Sequence, residues 1–302
     1  MNKPRNSKPT SKEAVSKNAS PIPSFETCET AWCPGCGDHV ILTCLQRALT
    51  ELNRNPHEVL LVAGIGQAAK IPQYISANEF CGLHGRALPV AVAAKIANEK
   101  LTVVVSSGDG DSYGEGGNHF IHNIRRNVDI THFVHDNQIY GLTKGQASPT
   151  SQIGHVTPVQ VDGSINIPLN PMLLALTMGA GFVARGFTGD PEQLVSLMKQ
   201  AITFKGYALL DILQPCVSFN KINTYVDYKS RAQPLPADYN RSNFDLALKT
   251  AQIFGDKIPT GVLYATEKPT YHEQQVVLTS GGPLLKRSFK RTPVEKVMAD
   301  MV

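Results

Sequence analysis

Gly108-Asp109-Gly110-Asp111 follows an apolar run, Leu101–Val105. Asn137-Gln138-Ile139-Tyr140-Gly141-Leu142-Thr143-Lys144-Gly145-Gln146 follows another, Ile130–Val134. Short apolar runs bounded by glycine read as strands buried in a parallel sheet. Each block then sits at the carboxyl end of a strand, where open α/β sheets bind their ligands. Two oxygen-bearing side chains, Asp109 and Asn137, stand there among glycines that let a ligand approach the backbone. That combination suits Mg²⁺ bridging a diphosphate, because magnesium takes one or two carboxylates and fills its octahedron with phosphate oxygens and water.

Asp-Gly and Asn-Gly pairs are also ordinary turn formers, so either block alone is weak evidence. Two such blocks, each behind a strand pattern and separated by a helix-like segment at 114–126, carry more weight. Together they resemble the thiamine diphosphate signature. That resemblance implies Asp109, Asn137 and the carbonyl of Ile139 as Mg²⁺ ligands, with Gly108, Gly110, Asp111, Gly141, Leu142 and Thr143 lining the cofactor. With Gly117-Asn118-His119-Phe120 and Arg125-Arg126-Asn127 between the blocks, the string is similar to the β subunit of 2-oxoacid:ferredoxin oxidoreductases, over about Trp32 to Asn223.

Working outward, the pattern alternates strand and helix. Asp38 is placed to cap a helix running to about Glu51. Val59–Ala63 reads as a strand closed by Gly64-Ile65-Gly66, with a short helix near 68–75 and an Ala-rich helix at 87–98. Helices are expected at 171–179 and 191–204, and strands at 182–184 and 208–213. The expected fold is α/β, a thiamine diphosphate-binding fold whose mainly parallel sheet carries helices on both faces. The loop 141–168 is long enough to be functional and is expected to cover the ligand. Three regions follow: a mobile basic tail at 1–24, the cofactor-binding domain with an iron–sulfur site at 25–220, and a proline-interrupted C-terminal extension at 221–302 that contacts a partner subunit.

Cys33-Pro34-Gly35-Cys36 puts two thiols on one turn, suited to a soft metal centre or, on the plainer alternative, a redox pair. A second Cys-x-x-Cys, which a zinc ribbon would need, is absent. The resemblance implies a [4Fe–4S] cluster held by Cys33, Cys36, a cysteine in the loop after the first strand, and Cys216. The loop reads Gly64-Ile65-Gly66-Gln67, with glutamine at the expected cysteine. Cys81 is the favoured replacement as fourth ligand, Cys28 the second candidate, and a three-thiolate cluster with a labile iron stays open. Cys44, within an apolar helix pattern, reads as a buried structural thiol.

The resemblance implies conversion of a 2-oxoacid, coenzyme A and oxidised ferredoxin to acyl-CoA, CO₂ and reduced ferredoxin, or the reverse. It also implies an α subunit, because the glutamate that activates the aminopyrimidine belongs to a domain for which this chain has no second α/β unit. By the same resemblance Lys70 contacts substrate or coenzyme A, and Leu142 presses beneath the thiamine. From chemistry alone, His84 and Arg86 offer donors to a carboxylate or diphosphate. Lys144 is placed to pair the distal carboxylate of a dicarboxylic acid such as 2-oxoglutarate. Competing readings are a non-redox thiamine decarboxylase or synthase subunit and a non-catalytic zinc-binding assembly subunit. A net charge of only +4, without a basic stripe, argues against nucleic acid. No apolar run approaches the ~20 residues of a membrane span. The cytoplasm is the expected location, since the first residues carry no secretory h-region.

Overall fold

The structure is a computed structural model describing residues 24–288 and 293–301. The expected tail, apart from Ser24, lies outside the described residues. The strands are β1 (Val59–Ala63), β2 (Asn78–Cys81), β3 (Thr102–Gly108), β4 (Thr131–Asp136), β5 (Phe182–Phe187), β6 (Ala208–Leu213), β7 (Ala232–Pro234) and β8 (Ile258–Ala265). They form one sheet in the order β2-β1-β3-β4-β6-β5-β8-β7. The first six in that order run parallel, and β8 joins β5 antiparallel.

The helices used below are α1 (Asp38–Glu51), α2 (Ala87–Ala97), α3 (Gly117–Arg126), α4 (Pro171–Thr177), α5 (Pro191–Thr203), α6 (Tyr225–Arg231) and α7 (Phe244–Ala251). On one face α1 and α5 bury Ile41, Leu45, Leu194 and Met198 with Val104 and Leu210 of the strands. On the other, α2, α3, α4 and α7 bury Leu88, Phe120, Met172 and Ala247 with Val103, Val105 and Leu209. Successive strand residues point to opposite faces. Val104 therefore serves one core and its neighbours the other, and the run is apolar throughout because both faces are covered. Local signals start the helices: Asn170 accepts from Leu173 N and Asp190 from Gln193 N, each followed by proline at the first helical position.

Three differences from expectation have physical causes. Strand β2 was not expected, because all four of its residues are exposed at the sheet edge and leave no apolar pattern. Asp38 begins α1 without capping it; its carboxylate lies 2.6 Å from His135 Nδ1, and Gly37 takes the cap position. The division at 221 does not follow the sheet. The region beyond it supplies β8, whose edge covers β5, and α7, which packs on α4. Proline and glycine within that region hid a strand that its neighbours stabilise. No described helix is long and apolar enough to cross a membrane.

Candidate functional site

The chain leaves β1, pairs β2 on one side of it, then returns to lay β3 on the other. The carboxyl ends of β1 and β3 thus flank a point where the order of strands reverses, the place where parallel α/β sheets hold ligands. Ala63 is level with Ser106, and Gly108 with His135, so the loops after β1, β3 and β4 emerge side by side. Between them lies an open cavity lined by residues that include Gly66, Gln67, His84, Gly108, Asp109, Glu115, Asn137, Tyr140, Leu142 and Thr143.

Asp109 is buried, and one carboxylate oxygen accepts from Ser148 Oγ at 2.5 Å and Thr150 Oγ1 at 2.6 Å. Burial raises its pKa, against the pull of those hydroxyls. Asn137 accepts from Ile139 N at 3.1 Å, and its amide donates to Gln214 Oε1 at 3.0 Å. A Cβ added at Gly66 or Gly108 would meet no atom within 4 Å, so bare backbone opens onto the cavity there. After Asp109 the chain makes one wide helical turn, Gly110–Glu115, closed by Gly116 N donating to Asp111 O. That turn leads into α3 in place of the continuous helix expected from 114. Such turns interrupt regular helices at functional sites, and helix amino ends favour anions.

The other predicted residues divide. Ile139, Gly141, Leu142 and Thr143 line the cavity, as do Gly110 and Asp111. Asp111, however, is engaged as a brace. Its oxygens accept from Ile65 N, Gly85 N and Ser107 Oγ, tying the loops after β1, β2 and β3 together. His84 reaches the cavity wall. Arg86 instead donates to the carbonyls of His84 and Glu115, so its guanidinium holds the loop. Lys70 and Lys144 are not among the lining residues. Lys144 stands exposed at the tip of the 140–146 turn with φ of 78°, a left-handed conformation uncommon for lysine.

Beside the cavity is a recess lined by Trp32, Cys33, Cys36, Gln67 and Cys216 among others. Three of the four predicted cluster cysteines thus converge. Cys81 does not join them: it ends the edge strand β2, exposed beside Gln73 and Glu79. Its pairing with Ala63 fixes it at the sheet margin. Burial and Asp38 push the Cys36 thiol up, while Gln214 Nε2 and Ser218 Oγ lie 3.4 and 3.1 Å from the sulfurs of Cys36 and Cys33. Among the described residues no three His, Cys, Asp or Glu side chains are grouped closely enough for a single metal ion.

Sequence reasoning missed Glu115 and Tyr140 in the cavity, because neither falls on a glycine block's metal position. It also missed Ser148 and Thr150, which reach Asp109 from the first third of the 141–168 loop; their only signal was small hydroxyl residues in a long loop. Beneath them lies a buried charge cluster. Arg185 on β5 is fully buried near Asp136 and Asp211, and burial raises both carboxyl pKa values, Asp211 to about 6. The guanidinium offsets their charge, which a core of this density could not otherwise hold.

Residues 60–212 match the family model for the thiamine pyrophosphate enzyme C-terminal TPP-binding domain. Residues 216–280 match that for the C-terminal part of the pyruvate ferredoxin oxidoreductase β chain. The 2-oxoacid:ferredoxin oxidoreductase subunit β of Saccharolobus solfataricus is 42% identical over 258 residues, covering 81% of this chain and 85% of that one. The 2-oxoglutarate oxidoreductase subunit KorB of Mycobacterium tuberculosis is 44% identical over 192 residues, 64% of this chain and 52% of that one. Among solved structures, the 2-oxoglutarate:ferredoxin oxidoreductase from Magnetococcus marinus, with 2-oxoglutarate, coenzyme A and succinyl-CoA bound, aligns at a TM-score of 0.84. The two are 37% identical, with 94% of this chain and 96% of that chain covered.

Proposed function

From the premise that the chain belongs to the β subunits of the 2-oxoacid:ferredoxin oxidoreductases, we propose that it holds thiamine diphosphate through Mg²⁺ at Asp109, Asn137 and the Ile139 carbonyl. With an α subunit it then oxidises a 2-oxoacid, 2-oxoglutarate being the favoured substrate, to an acyl-CoA and CO₂, and it can run in reverse. One observation carries the reading. A buried carboxylate and an amide oxygen emerge from adjacent parallel strands into a cavity whose glycines leave the backbone bare. Magnesium needs no third carboxylate when phosphate oxygens complete its shell.

Thiamine diphosphate held here would supply a carbon nucleophile and an electron sink, and a [4Fe–4S] cluster at Cys33, Cys36 and Cys216 would supply one-electron redox capacity. This chain's part is to bind and orient. The Gly110 turn, which lines the cavity, receives the diphosphate. Ser148 and Thr150 keep Asp109 aimed at the metal, and Asp111 keeps three loops in register around it. Leu142, 42% exposed at the cavity, gives the thiamine an apolar rest. Cys33, Cys36 and Cys216 hold the cluster, whose several irons suit thiols spaced wider than one ion requires. Lys144 meets the far carboxylate of the substrate, Lys70 and His84 contribute contacts to substrate or coenzyme A, and Arg86 steadies the His84 loop.

An α subunit supplies the activating carboxylate. Exposed Ile153, Val161, Ile165 and Ile167 on the 141–168 loop and Val276 and Val294 near the C-terminus offer it apolar surface. The relative from Magnetococcus marinus, with its bound 2-oxoglutarate and coenzyme A, supports the substrate reading. The test is anaerobic assay of the co-expressed complex against pyruvate, 2-oxoglutarate and branched-chain acids, with ferredoxin as acceptor. Calorimetry of Mg²⁺-dependent thiamine diphosphate binding accompanies it. Asp109→Ala abolishes both turnover and binding; unchanged turnover would sink the magnesium assignment.

A further inference from the structure

Gln67 lines both the cofactor cavity and the cysteine recess. Its backbone is pinned, since Trp32 Nε1 donates to its carbonyl at 3.0 Å. Its side-chain oxygen is different: Oε1 is buried and has no hydrogen-bond partner among the described residues. A buried acceptor left without a donor or a cation is costly, so native structures rarely keep one without a ligand.

The other oxygen donors around the recess are engaged. Asp38 is held by His135 and faces Cys36, Asn137 accepts from Ile139 N, Gln214 Oε1 accepts from Asn137, and the Ser218 hydroxyl lies on Cys33. The remaining thiols are elsewhere. Cys28 faces the Gln73 carbonyl at 3.6 Å, Cys44 the Pro191 carbonyl at 3.7 Å, and Cys81 lies beside Gln73 and Glu79. Three cysteines and Gln67, whose amide oxygen is unpartnered, therefore line the recess.

We infer that Gln67 stands at the fourth corner of a three-thiolate cluster, its amide oxygen facing an iron that no cysteine holds. This rests on the cluster reading proposed above. A neutral carboxamide oxygen is a harder and weaker donor to iron than a thiolate, so that iron is exchangeable. One-electron oxidation then releases it: [4Fe–4S]²⁺ gives [3Fe–4S]⁺, Fe²⁺ and one electron, which an added oxidant such as ferricyanide accepts. Excess Fe²⁺ with a one-electron reductant such as dithionite reverses the step.

The experiment uses the α/β complex purified anaerobically and titrated with ferricyanide, reading iron and sulfide content and the electron paramagnetic resonance of the three-iron form. Wild type is expected to lose one iron in four, keep its sulfide and develop the three-iron signal. Gln67→Cys keeps all its iron and gives no such signal. Gln67→Ala is isolated already short of that iron. A wild-type cluster that holds all its iron under ferricyanide overturns the inference. So does a Gln67→Ala complex with wild-type iron and weakened thiamine diphosphate binding, which would assign the amide to the cofactor cavity. Absence of both iron and sulfide from wild type, and from a Cys33→Ala control alike, instead overturns the cluster reading itself.

Discussion

Thr150 Oγ1 lies 2.6 Å from the Asp109 carboxylate and also 2.8 Å from Asp136. One hydroxyl proton cannot serve two anions. Burial and the neighbouring Asp211 and Asp109 raise the pKa of Asp136 well above the ordinary carboxyl value. Thr150 therefore bridges the two carboxyl groups with a single proton and ties Asp109 to Asp136 on the strand beneath it. The residue proposed to bind magnesium is thus oriented through a relay that ends in the sheet's interior.

Thr150→Val removes that relay while keeping the side chain's shape. Residues that orient a metal ligand alter metal affinity about 10–100-fold. Mg²⁺-dependent thiamine diphosphate affinity should fall by roughly that range in calorimetry, with the melting temperature of the cofactor-free complex changed little. An unchanged affinity would remove Thr150 from the site.

Gly64→Ala tests the loop brace. A Cβ at Gly64 would lie 2.0 Å from Asp111 Oδ2, where no atom fits. Asp111 must swing away and release the amides of Ile65 and Gly85. Cofactor binding should be lost, and limited proteolysis should cut within 64–86; wild-type protection with retained binding would contradict the brace.

Lys144→Ala tests substrate choice. A hydrogen bond between charged groups contributes about 1.5–3 kcal/mol, so the ratio of kcat/KM for 2-oxoglutarate over pyruvate should fall by about tenfold or more. The pyruvate rate itself should hold. Equal losses on both acids would make Lys144 a general contributor to the turn and end its role as a reader of the distal carboxylate.

His132 gives a pH signature. Its two ring nitrogens meet Tyr207 and Ser112 hydroxyls at 2.7 and 3.1 Å, and burial lowers its pKa to about 3. The unfolded chain protonates this histidine near its ordinary value of about 6.5, before the folded protein does. Between about 6.5 and about 3 the unfolded state binds more protons, so stability falls as pH falls. Asp211, raised to about 6, acts in the opposite sense over the upper part of that window. His132→Gln should flatten the acid side of a denaturation-against-pH curve; an unaltered slope would mean that His132 charges in the folded state.

A chain ended at residue 220 should not be soluble. It loses β8 and exposes the edge of β5, every residue of which is buried in the full chain. Recovery of that fragment as a stable monomer would show that β5 does not need β8.

Much of this was legible in the chain itself. The apolar runs before Gly108 and Asn137 announce two strands buried on both faces. The glycine, aspartate and asparagine after them announce what emerges, because burial pattern and turn chemistry are local properties carried by neighbouring residues. The two-thiol turn at Cys33 and Cys36 is local in the same way. What needed the folded chain were relationships between distant residues. Strand β8 is held by its partner β5 and not by its own pattern. Ser148 and Thr150 reach Asp109 only because the long loop folds back over the sheet. Cys81 stops at the sheet margin by its register with β1, while Gln67, by the same strand's exit, meets the three remaining cysteines. Sequence determined which chemistry the chain carries; the packing of loops over strand ends decided which residues share it, since convergence in space is not written in spacing along the chain.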